Sequence, residues 1–305
     1  MDHPAYAKLM EYAATPEALS ASVDYLSEHL DFLKPNDAVL ICFTRNQPYE
    51  IGSLFEKAVR AKGAVPVFWE KDYRWKTLIR QAFQNNVSTV IGPPLVVLGL
   101  GKIARYKATP LRVRNIILAG YPSLEWMLEG IIECFDCHVS GCFTPGSRLV
   151  CGYSCDKIRG IHLRDDKYGL EVVDDQGNLC ADGEIGDMIL FDKQDPSVRY
   201  PCGERCRIQR EPCACGATSI HLLDMRPGTS SDLQLDSIVQ ELISWTSVLD
   251  CRLRKGEQGL NLELIVFPGE KLPKLPSTAR QVVRAWDPEK DEPFYYVPGI
   301  EKTGN

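Results

Sequence analysis

The sequence predicts an α/β fold, with a doubly wound, mainly parallel sheet followed by a β-rich layer and a small C-terminal α+β lobe. Short apolar segments alternate with amphipathic segments through the first half, which is typical of parallel strands joined by helices. After residue 150 a two-residue alternation and turn signals take over. The last stretch mixes helix and strand patterns. We therefore expect domains at residues 1–150, 151–227 and 228–305.

Strand and helix patterns alternate four times in the first half. A helical pattern over residues 4–33 comes first, and Thr15 with Pro16 forms a helix start signal within it. Strands are predicted at 38–43, 65–69, 88–91 and 115–119, and helices at 48–62, 74–85, 93–106 and 123–135. Because such sheets bind ligands beyond the carboxyl ends of their strands, we expect the functional site at that edge.

The second half is predicted to be richer in strands. The β-rich layer has predicted strands at 169–173, 186–191, 207–209 and 219–223, with a hairpin turn at 174–178. A linker at 227–231 leads to the C-terminal lobe. The lobe is predicted to contain a helix at 233–246, strands at 248–254 and 260–267, a helix at 278–285 and a strand at 294–297.

Composition excludes several classes of protein. A net charge of −6 over 305 residues argues against a nucleic-acid partner, which would require a basic face. The longest apolar runs, such as 113–120, are too short to cross a membrane. The N-terminus lacks the pattern of a secretory signal. Twelve cysteines without such a signal indicate reduced thiols, and we expect a cytoplasmic location.

Three cysteines and one histidine form a candidate metal site in the β-rich layer. Cys155, His162, Cys213 and Cys215 offer three sulfurs and one ring nitrogen, which is a complete tetrahedral set for Zn²⁺. With no position left for water, the ion would be structural and the layer zinc-bearing. The spacing also fits cysteines buried as small apolar residues. Cys151, Cys202 and Cys206 are competing ligands.

A second cysteine–histidine motif has another interpretation. Cys134, Cys137 and His138 have the spacing of a covalent c-type haem site. Such sites belong to exported proteins, and this motif lies at the end of a predicted helix. We therefore expect buried thiols at a helix-to-strand junction.

Four segments resemble the phenylacetate–CoA ligases of the adenylate-forming, or acyl-CoA synthetase, superfamily. Residues 160–174 resemble a Gly-Leu-His…Glu-Asp…Glu-Ile-Ile-Asp run, and 183–190 resemble Gly-Glu-x-Gly-Glu-Leu-Val-Leu. Residues 198–204 resemble Ile-Arg-Tyr-Arg-Thr-Gly-Asp, and 213–216 resemble Cys-Pro-Cys-Gly. The order and spacing of all four agree, and the likeness extends over the chain after residue 15.

The resemblance implies a function and several ligand-binding residues. Enzymes of this family use ATP to activate a carboxylic acid as an acyl-adenylate and then transfer the acyl group to coenzyme A. Some carry zinc at the positions of the four candidate ligands. Glu204 stands where the family's acid holds the ribose hydroxyls, Thr144 matches the threonine of a Tyr-Gly-x-Thr-Glu turn, and Arg226 corresponds to an arginine near the lobe hinge. ATP or AMP is thus an expected ligand.

Three positions depart from the family pattern. Residues 10–15, at the place of the phosphate loop, contain no glycine and no cluster of hydroxyls. Pro145 stands where the family has a magnesium-binding glutamate. The catalytic lysine of the tail lobe has no match in register, and Lys302 comes early. Charge-stabilising groups of this kind each contribute about 10²–10³ in rate. The sequence assigns no catalytic residue.

Three functions remain in view. The first is a pseudoenzyme, a non-catalytic or repurposed nucleotide- or acyl-binding homologue that could serve a protein partner. The second is an active AMP-forming ligase for an aryl or short-chain acid, which a partner chain could complete. The third is a transferase that uses a thiolate such as Cys142 or Cys202, although no activating histidine–acid pair is visible. For Glu204 the alternative is a solvated loop carboxylate.

Overall fold

The computed structural model describes most of the chain. It covers residues 11, 14–46, 50–69, 74–120, 122–145, 149–155, 157, 160–193, 195–197, 199–228, 230–256, 259–272, 275 and 279–293. Within these residues the chain forms six helices and fourteen strands. Eleven strands form one sheet, and the last three form a second, smaller sheet.

The first half is the predicted doubly wound sheet. Its strands are parallel and lie in the order β2-β1-β3-β4-β5. They are β1 (Ala38–Ile41), β2 (Val65–Phe68), β3 (Thr89–Gly92), β4 (Asn115–Leu118) and β5 (His138–Phe143). The helices are α1 (Pro16–Glu28), α2 (Ile51–Ala61), α3 (Trp75–Gln84), α4 (Pro94–Tyr106) and α5 (Glu125–Phe135).

The helices cover both faces of the parallel strands. α1 and α2 share one apolar core with one face, which includes Leu26 and Phe55. α3, α4 and α5 share another core with the opposite face, which includes Trp75 and Leu100. α1 begins at the predicted signal, because the Thr15 Oγ1 accepts a hydrogen bond from the Ala18 amide at 3.3 Å. Residues 4–10 of the predicted first helix lie outside the described residues.

The β-rich part continues the same sheet, whereas a separate layer was expected. Its strands are antiparallel and follow β5 in the order β6-β7-β11-β10-β9-β8. β4 pairs with residues 138–141 of β5, whereas β6 pairs with Cys142 and Phe143. The β-rich part therefore joins the parallel strands at the end of β5, and it has an apolar core of its own. The strands are β6 (Gly152–Ser154), β7 (Ile161–Leu163), β8 (Tyr168–Val173), β9 (Gly186–Asp192), β10 (Arg199–Gln209) and β11 (His221–Pro227).

The predicted hairpin turn lies between β8 and β9. The Asp174 carboxylate accepts hydrogen bonds from the amides of Gln176 and Asn178, at 2.9 and 2.8 Å. Gly177 has φ = 84°, a backbone conformation that favours glycine.

The C-terminal lobe differs from the prediction in one element. It contains α6 (Ser230–Ile243), β12 (Val248–Gly256), β13 (Gly259–Val266) and β14 (Ala279–Ala285). The predicted helix at 278–285 is wrong, because residues 279–285 form strand β14 parallel to β13. Pairing with a strand that lies earlier in the chain overrides the local helical pattern. The predicted strand at 294–297 lies outside the described residues.

The small sheet packs on the helices of the first half. Buried residues of β12 and β13, such as Leu249 and Leu264, belong to the same apolar core as Trp75 of α3 and Val96 of α4. The Trp75 amide donates a hydrogen bond to the Asp291 carbonyl at 3.0 Å. Among the described helices, none combines the length and the hydropathy required to cross a membrane.

Candidate functional site

A cleft of about 570 Å³ opens at the carboxyl ends of β4 and β5. One wall comes from the ends of these strands and the start of α5, and the other comes from β10 and β11. Apolar side chains such as Leu128, Phe143 and Leu222 form much of the lining, with a few polar groups among them. This is the edge at which the sequence predicted a ligand site.

The predicted ligand residues Glu204 and Arg226 both line the cleft, from two paired strands. Glu204 is on β10 and Arg226 on β11, and the pairing of these strands sets Glu204 opposite Pro227. Both side chains line the cleft. The Glu204 Oε2 and the Arg226 Nε are out of contact with solvent, and neither has a hydrogen-bond partner among the described residues. Buried polar atoms of this kind are suited to a polar ligand.

Burial changes the charge state of Glu204. Removal of the carboxyl from water raises its pKa from 4.5 to about 8. At neutral pH the group is therefore mostly protonated, so it can donate one hydrogen bond and accept others. The alternative of a solvated loop carboxylate does not hold, because Glu204 is on a strand and part-buried.

Thr144 is in the opposite wall and already has a structural contact. Its side chain is buried, and its Oγ1 accepts a hydrogen bond from the Gly120 amide at 2.8 Å. This bond ties the loop after β4 to the loop after β5 at the mouth of the cleft. Pro145 follows at the position where the resemblance would place a metal-binding acid.

Asp224 is a cleft residue that sequence reasoning missed. It has φ = 51°, which is unusual for a residue other than glycine, and it lies where the register between β10 and β11 shifts. Its carboxylate forms an ion pair with Arg207. The next residues of β11, Met225 and Arg226, also line the cleft. No sequence signal marks this backbone conformation.

The four predicted metal ligands come together at one end of this wall. One ligand atom from each of Cys155, His162, Cys213 and Cys215 lies within 4.8 Å of all the others. The Sγ atoms of Cys155 and Cys213 are 3.7 Å apart. A tetrahedral Zn²⁺ with Zn–S bonds of about 2.3 Å requires about 3.8 Å between two sulfurs. The arrangement therefore fits the ion.

Backbone amides support ionised sulfurs in this cluster. The amides of Lys157, Cys215 and Ala217 donate to the sulfurs of Cys155, Cys213 and Cys215, at 3.2, 3.4 and 3.5 Å. Burial and the neighbouring thiols raise the pKa of Cys213, so a cation is required to keep all three sulfurs ionised together. Gly216, with φ = 93°, completes the turn that carries two of the sulfurs.

His162 is oriented by two residues that the sequence did not single out. Its Nδ1 is 3.1 Å from the Ser219 Oγ, which leaves Nε2 directed to the Cys215 sulfur at 3.3 Å. The Nε2 of the fully buried His221 is 2.8 Å from the His162 Nε2. Burial and the His221 ring lower the pKa of His162, so its imidazole is neutral, as metal ligation requires.

The three cysteines that could have competed as metal ligands lie outside the cluster. The cluster does not include Cys151, Cys202 or Cys206, which pack in or against the apolar core of the β-rich part. Burial raises the pKa of Cys202 far above its usual range, and burial raises that of Cys142 as well. Neither thiol is therefore poised to ionise, which argues against a thiolate-dependent transferase.

The haem-like motif forms no comparable site. Cys134 is in the last turn of α5, and His138 is the first residue of β5. Both thiols are half-buried at the junction, and burial raises the pKa of Cys137 to about 11. Sequence analysis predicted these thiols at this helix-to-strand junction.

Comparisons with known proteins give matches in structure alone. No protein-family profile and no curated protein matches the sequence. Among solved structures, 2-hydroxyisobutyryl-CoA ligase in a postadenylation state with R3-HIB-AMP superposes with a TM-score of 0.67 at 14% identity. That match covers 93% of this chain and 70% of the ligase chain. The chain has the fold of the adenylate-forming acyl-CoA ligases.

Two further acyl-CoA ligases have the same fold. The anthranilate–CoA ligase AuaEII, solved with anthranoyl-AMP, matches with a TM-score of 0.57 at 12% identity and covers 88% of this chain. A benzoate–CoA ligase from Burkholderia xenovorans LB400 matches with a TM-score of 0.54 at 14% identity and covers 83%. This chain spans 59% and 56% of those two ligases. These matches confirm the acyl-CoA ligase fold that the resemblance implied, and at this identity they concern the fold alone.

Proposed function

We propose that this protein binds a nucleotide or an acyl-adenylate in the cleft and does not catalyse the complete ligase reaction. The observation that carries the proposal is the pair of buried, unpartnered polar atoms on Glu204 and Arg226. They line a cleft of about 570 Å³ at the carboxyl-end edge of the sheet, where apolar side chains are mixed with a few polar ones. A protonated carboxyl and a guanidinium in the lining of one cleft suit hydroxyl and phosphate groups.

The charges around the cleft favour a monophosphate over a triphosphate. Its lining contains the acids Glu125, Glu204 and Asp224 and the bases Lys157 and Arg226. With Glu204 protonated, the acids and bases among the described lining residues balance, so these residues provide little net positive charge to attract a triphosphate. AMP or a neutral-tailed acyl-adenylate carries less charge and should bind better.

The metal-binding residue that the family uses has no equivalent beside Thr144. Pro145 cannot ligate Mg²⁺, and loss of one such electrostatic group typically lowers a rate by about 10²–10³. No residue from the described part of the C-terminal lobe lines the cleft. Both observations support binding without adenylation.

We assign Zn²⁺ a structural role in this proposal. Cys155, His162, Cys213 and Cys215 would hold the ion and leave no position for water or substrate. A cytoplasmic location is part of the proposal, and all twelve cysteines are free thiols, which suits a reducing compartment.

The fold favours a second candidate function. Likeness to acyl-CoA ligases supports an AMP-forming ligase for an aryl or short-chain acid. A partner chain would then supply the phosphate-binding groups. In that case Glu204 and Arg226 would position the nucleotide for reaction.

Calorimetry with AMP, ATP and coenzyme A tests the proposal. We expect AMP to bind more tightly than ATP, and Glu204→Ala to abolish AMP binding. Glu241→Ala, at an exposed position on α6, is the matched control and should bind AMP like the wild type. If none of the three ligands binds, the proposed function is wrong.

Pyrophosphate release distinguishes the two candidates. The protein is mixed with ATP, Mg²⁺ and a panel of aryl and short-chain acids. Binding without turnover supports the first candidate. Turnover above the blank that disappears in Glu204→Ala would overturn it and establish a working ligase.

A further inference from the structure

The metal cluster spans a junction within the large sheet. Cys155 and His162 belong to the β6–β7 side, whereas Cys213 and Cys215 lie in the loop between β10 and β11. β7 and β11 are neighbours, but their ladder contains only two residue pairs within the described chain, His162↔His221 and Ile161↔Leu222. An ion held by ligands from both sides would reinforce this short ladder.

The same two residue pairs connect the cluster to the cleft. Successive residues of a strand point to opposite faces of the sheet. His162 and His221 are on the cluster side, where their rings are 3.8 Å apart. Ile161 and Leu222, one residue away on each strand, line the cleft. The metal side and the ligand side are thus two faces of one β7–β11 pair.

Cys155 belongs to both sites. Its sulfur is one of the four candidate ligand atoms, and the residue also lines the cleft. The Lys157 amide donates to this sulfur at 3.2 Å, and Lys157 supplies one of the two basic groups of the cleft. The neighbouring Ser154 Oγ accepts a hydrogen bond at 2.7 Å from the Gly141 amide of β5, the strand that pairs with β6. Cys155 is therefore connected to the metal cluster, to Lys157 and, through Ser154, to β5.

We propose that metal occupancy at this cluster controls the geometry of the cleft, so that metal and ligand bind cooperatively. The inference rests on the proposed function, in which the cleft is the ligand site. Thr144 is on the β5 side of the junction, and Glu204 and Arg226 are on the β10–β11 side. The metal sets the distance between them. Because linkage is reciprocal, a ligand that spans the junction also tightens metal binding by the same factor.

Hydrogen exchange of the protein with and without metal tests the junction directly. We expect removal of zinc by chelation to speed exchange at the β7–β11 ladder and along β10, including Glu204. Cys215→Ser should have the same effect, because it removes one of the four metal ligands. Cys215 is exposed and does not line the cleft, so the substitution does not alter the cleft directly. Cys180→Ser, a half-buried thiol outside the cluster, is the control and should exchange like the wild type.

Two results would overturn the inference. One is a protein that takes up no zinc. The other is faster exchange confined to the ligand residues themselves, with β10 unchanged. If Cys215→Ser fails to fold, chelation of the wild-type protein gives the same comparison.

AMP titration separates this inference from the proposed function. Coupling predicts that AMP binds about fivefold or more weakly to the chelated protein, and that AMP raises zinc affinity by the same factor in a competition with a coloured chelator. Equal AMP affinity in both metal states would overturn the coupling and leave the proposed function intact. Faster exchange on metal loss without AMP binding in either state would support the junction role and contradict the proposed function.

Discussion

Lys102 of α4 donates a hydrogen bond from its Nζ to the Val248 carbonyl at 2.8 Å, across the contact between the first half of the chain and the C-terminal lobe. The same ammonium reaches the carbonyls of Ile243 and Trp245 at the end of α6. A cation at the carboxyl end of a helix also stabilises the helix dipole. One lysine on α4 therefore fixes both α6 and the first residue of β12.

We expect Lys102→Met to destabilise the protein by about 2 kcal/mol, because three carbonyls lose their donor while the apolar stem is kept. The loss is measured as the change in the free energy of unfolding in urea. Lys57→Met, at an exposed position of α2, should change it by less than about 0.5 kcal/mol. Equal stabilities for the two variants would show that the lysine contributes nothing to holding the lobe.

Close packing between α3 and α4 gives a second prediction. Gly99 lies against Trp75, and a Cβ added at Gly99 would be 2.2 Å from the Cη2 of the indole. Trp75 is fully buried and cannot move aside. We expect Gly99→Ala to destabilise the protein by about 1–3 kcal/mol, although alanine normally favours a helix.

Gly130→Ala on α5 is the matched control. Its added Cβ would meet the tip of Leu98 at 3.0 Å, and this flexible side chain can shift. Its effect should lie within about 0.5 kcal/mol of zero, since the helix propensity of alanine offsets the crowding. A Gly99→Ala protein that unfolds at the wild-type urea concentration would contradict the packing of Trp75.

Local pattern was sufficient for most of the first half of the fold. Strands such as β3 and β4 are short buried apolar runs, and each is followed by an amphipathic helix. β14 was mispredicted as a helix over residues 278–285. Parallel pairing with β13, which is remote in the sequence, decides the strand. The union of all eleven strands into one sheet is likewise a long-range property.

The candidate site was predictable only in part. The four cysteine and histidine residues were identified from motif spacing and resemblance, and the structure brings them together, while their role as zinc ligands stays a prediction. His221 and Ser219 were missed, because a single histidine and a single serine carry no spacing signal. Their contacts with His162 arise from the pairing of β7 with β11.

The perturbed carboxyl of Glu204 gives a pH-dependent prediction. Its pKa is 4.5 in the unfolded chain and about 8 in the folded protein, because burial disfavours the charged form. The stabilising contribution of the protonated group is complete below pH 4.5 and is lost as the pH rises through 8. Glu204→Gln lacks this titration and should become progressively more stable than the wild type between pH 5 and 8.

The stability gain of Glu204→Gln should reach about 1–3 kcal/mol at pH 9, which is less than the full shift implies, because the side chain keeps some contact with solvent. Urea unfolding at pH 5, 7 and 9 measures the difference. Glu241→Gln, at an exposed position, should show no such trend. A stability difference that does not vary with pH would show that the Glu204 carboxyl is solvated and that its pKa is not raised.

Metal content distinguishes the proposed ligands from the competing thiols. We expect about one zinc per chain in the wild type and a large loss in Cys213→Ser, because the remaining three ligands leave the tetrahedral set incomplete. Cys202→Ser should retain the metal, since its thiol packs against the core of the β-rich part. Cobalt substitution should give sulfur-to-metal charge-transfer absorption in the wild type and in Cys202→Ser, and a weaker band in Cys213→Ser.

Chelation should also lower the melting temperature of the wild type by at least about 5 °C, because metal binding to the folded state adds directly to stability. If Cys213→Ser retained zinc and Cys202→Ser lost it, the metal ligands would be the competing thiols and not the proposed cluster.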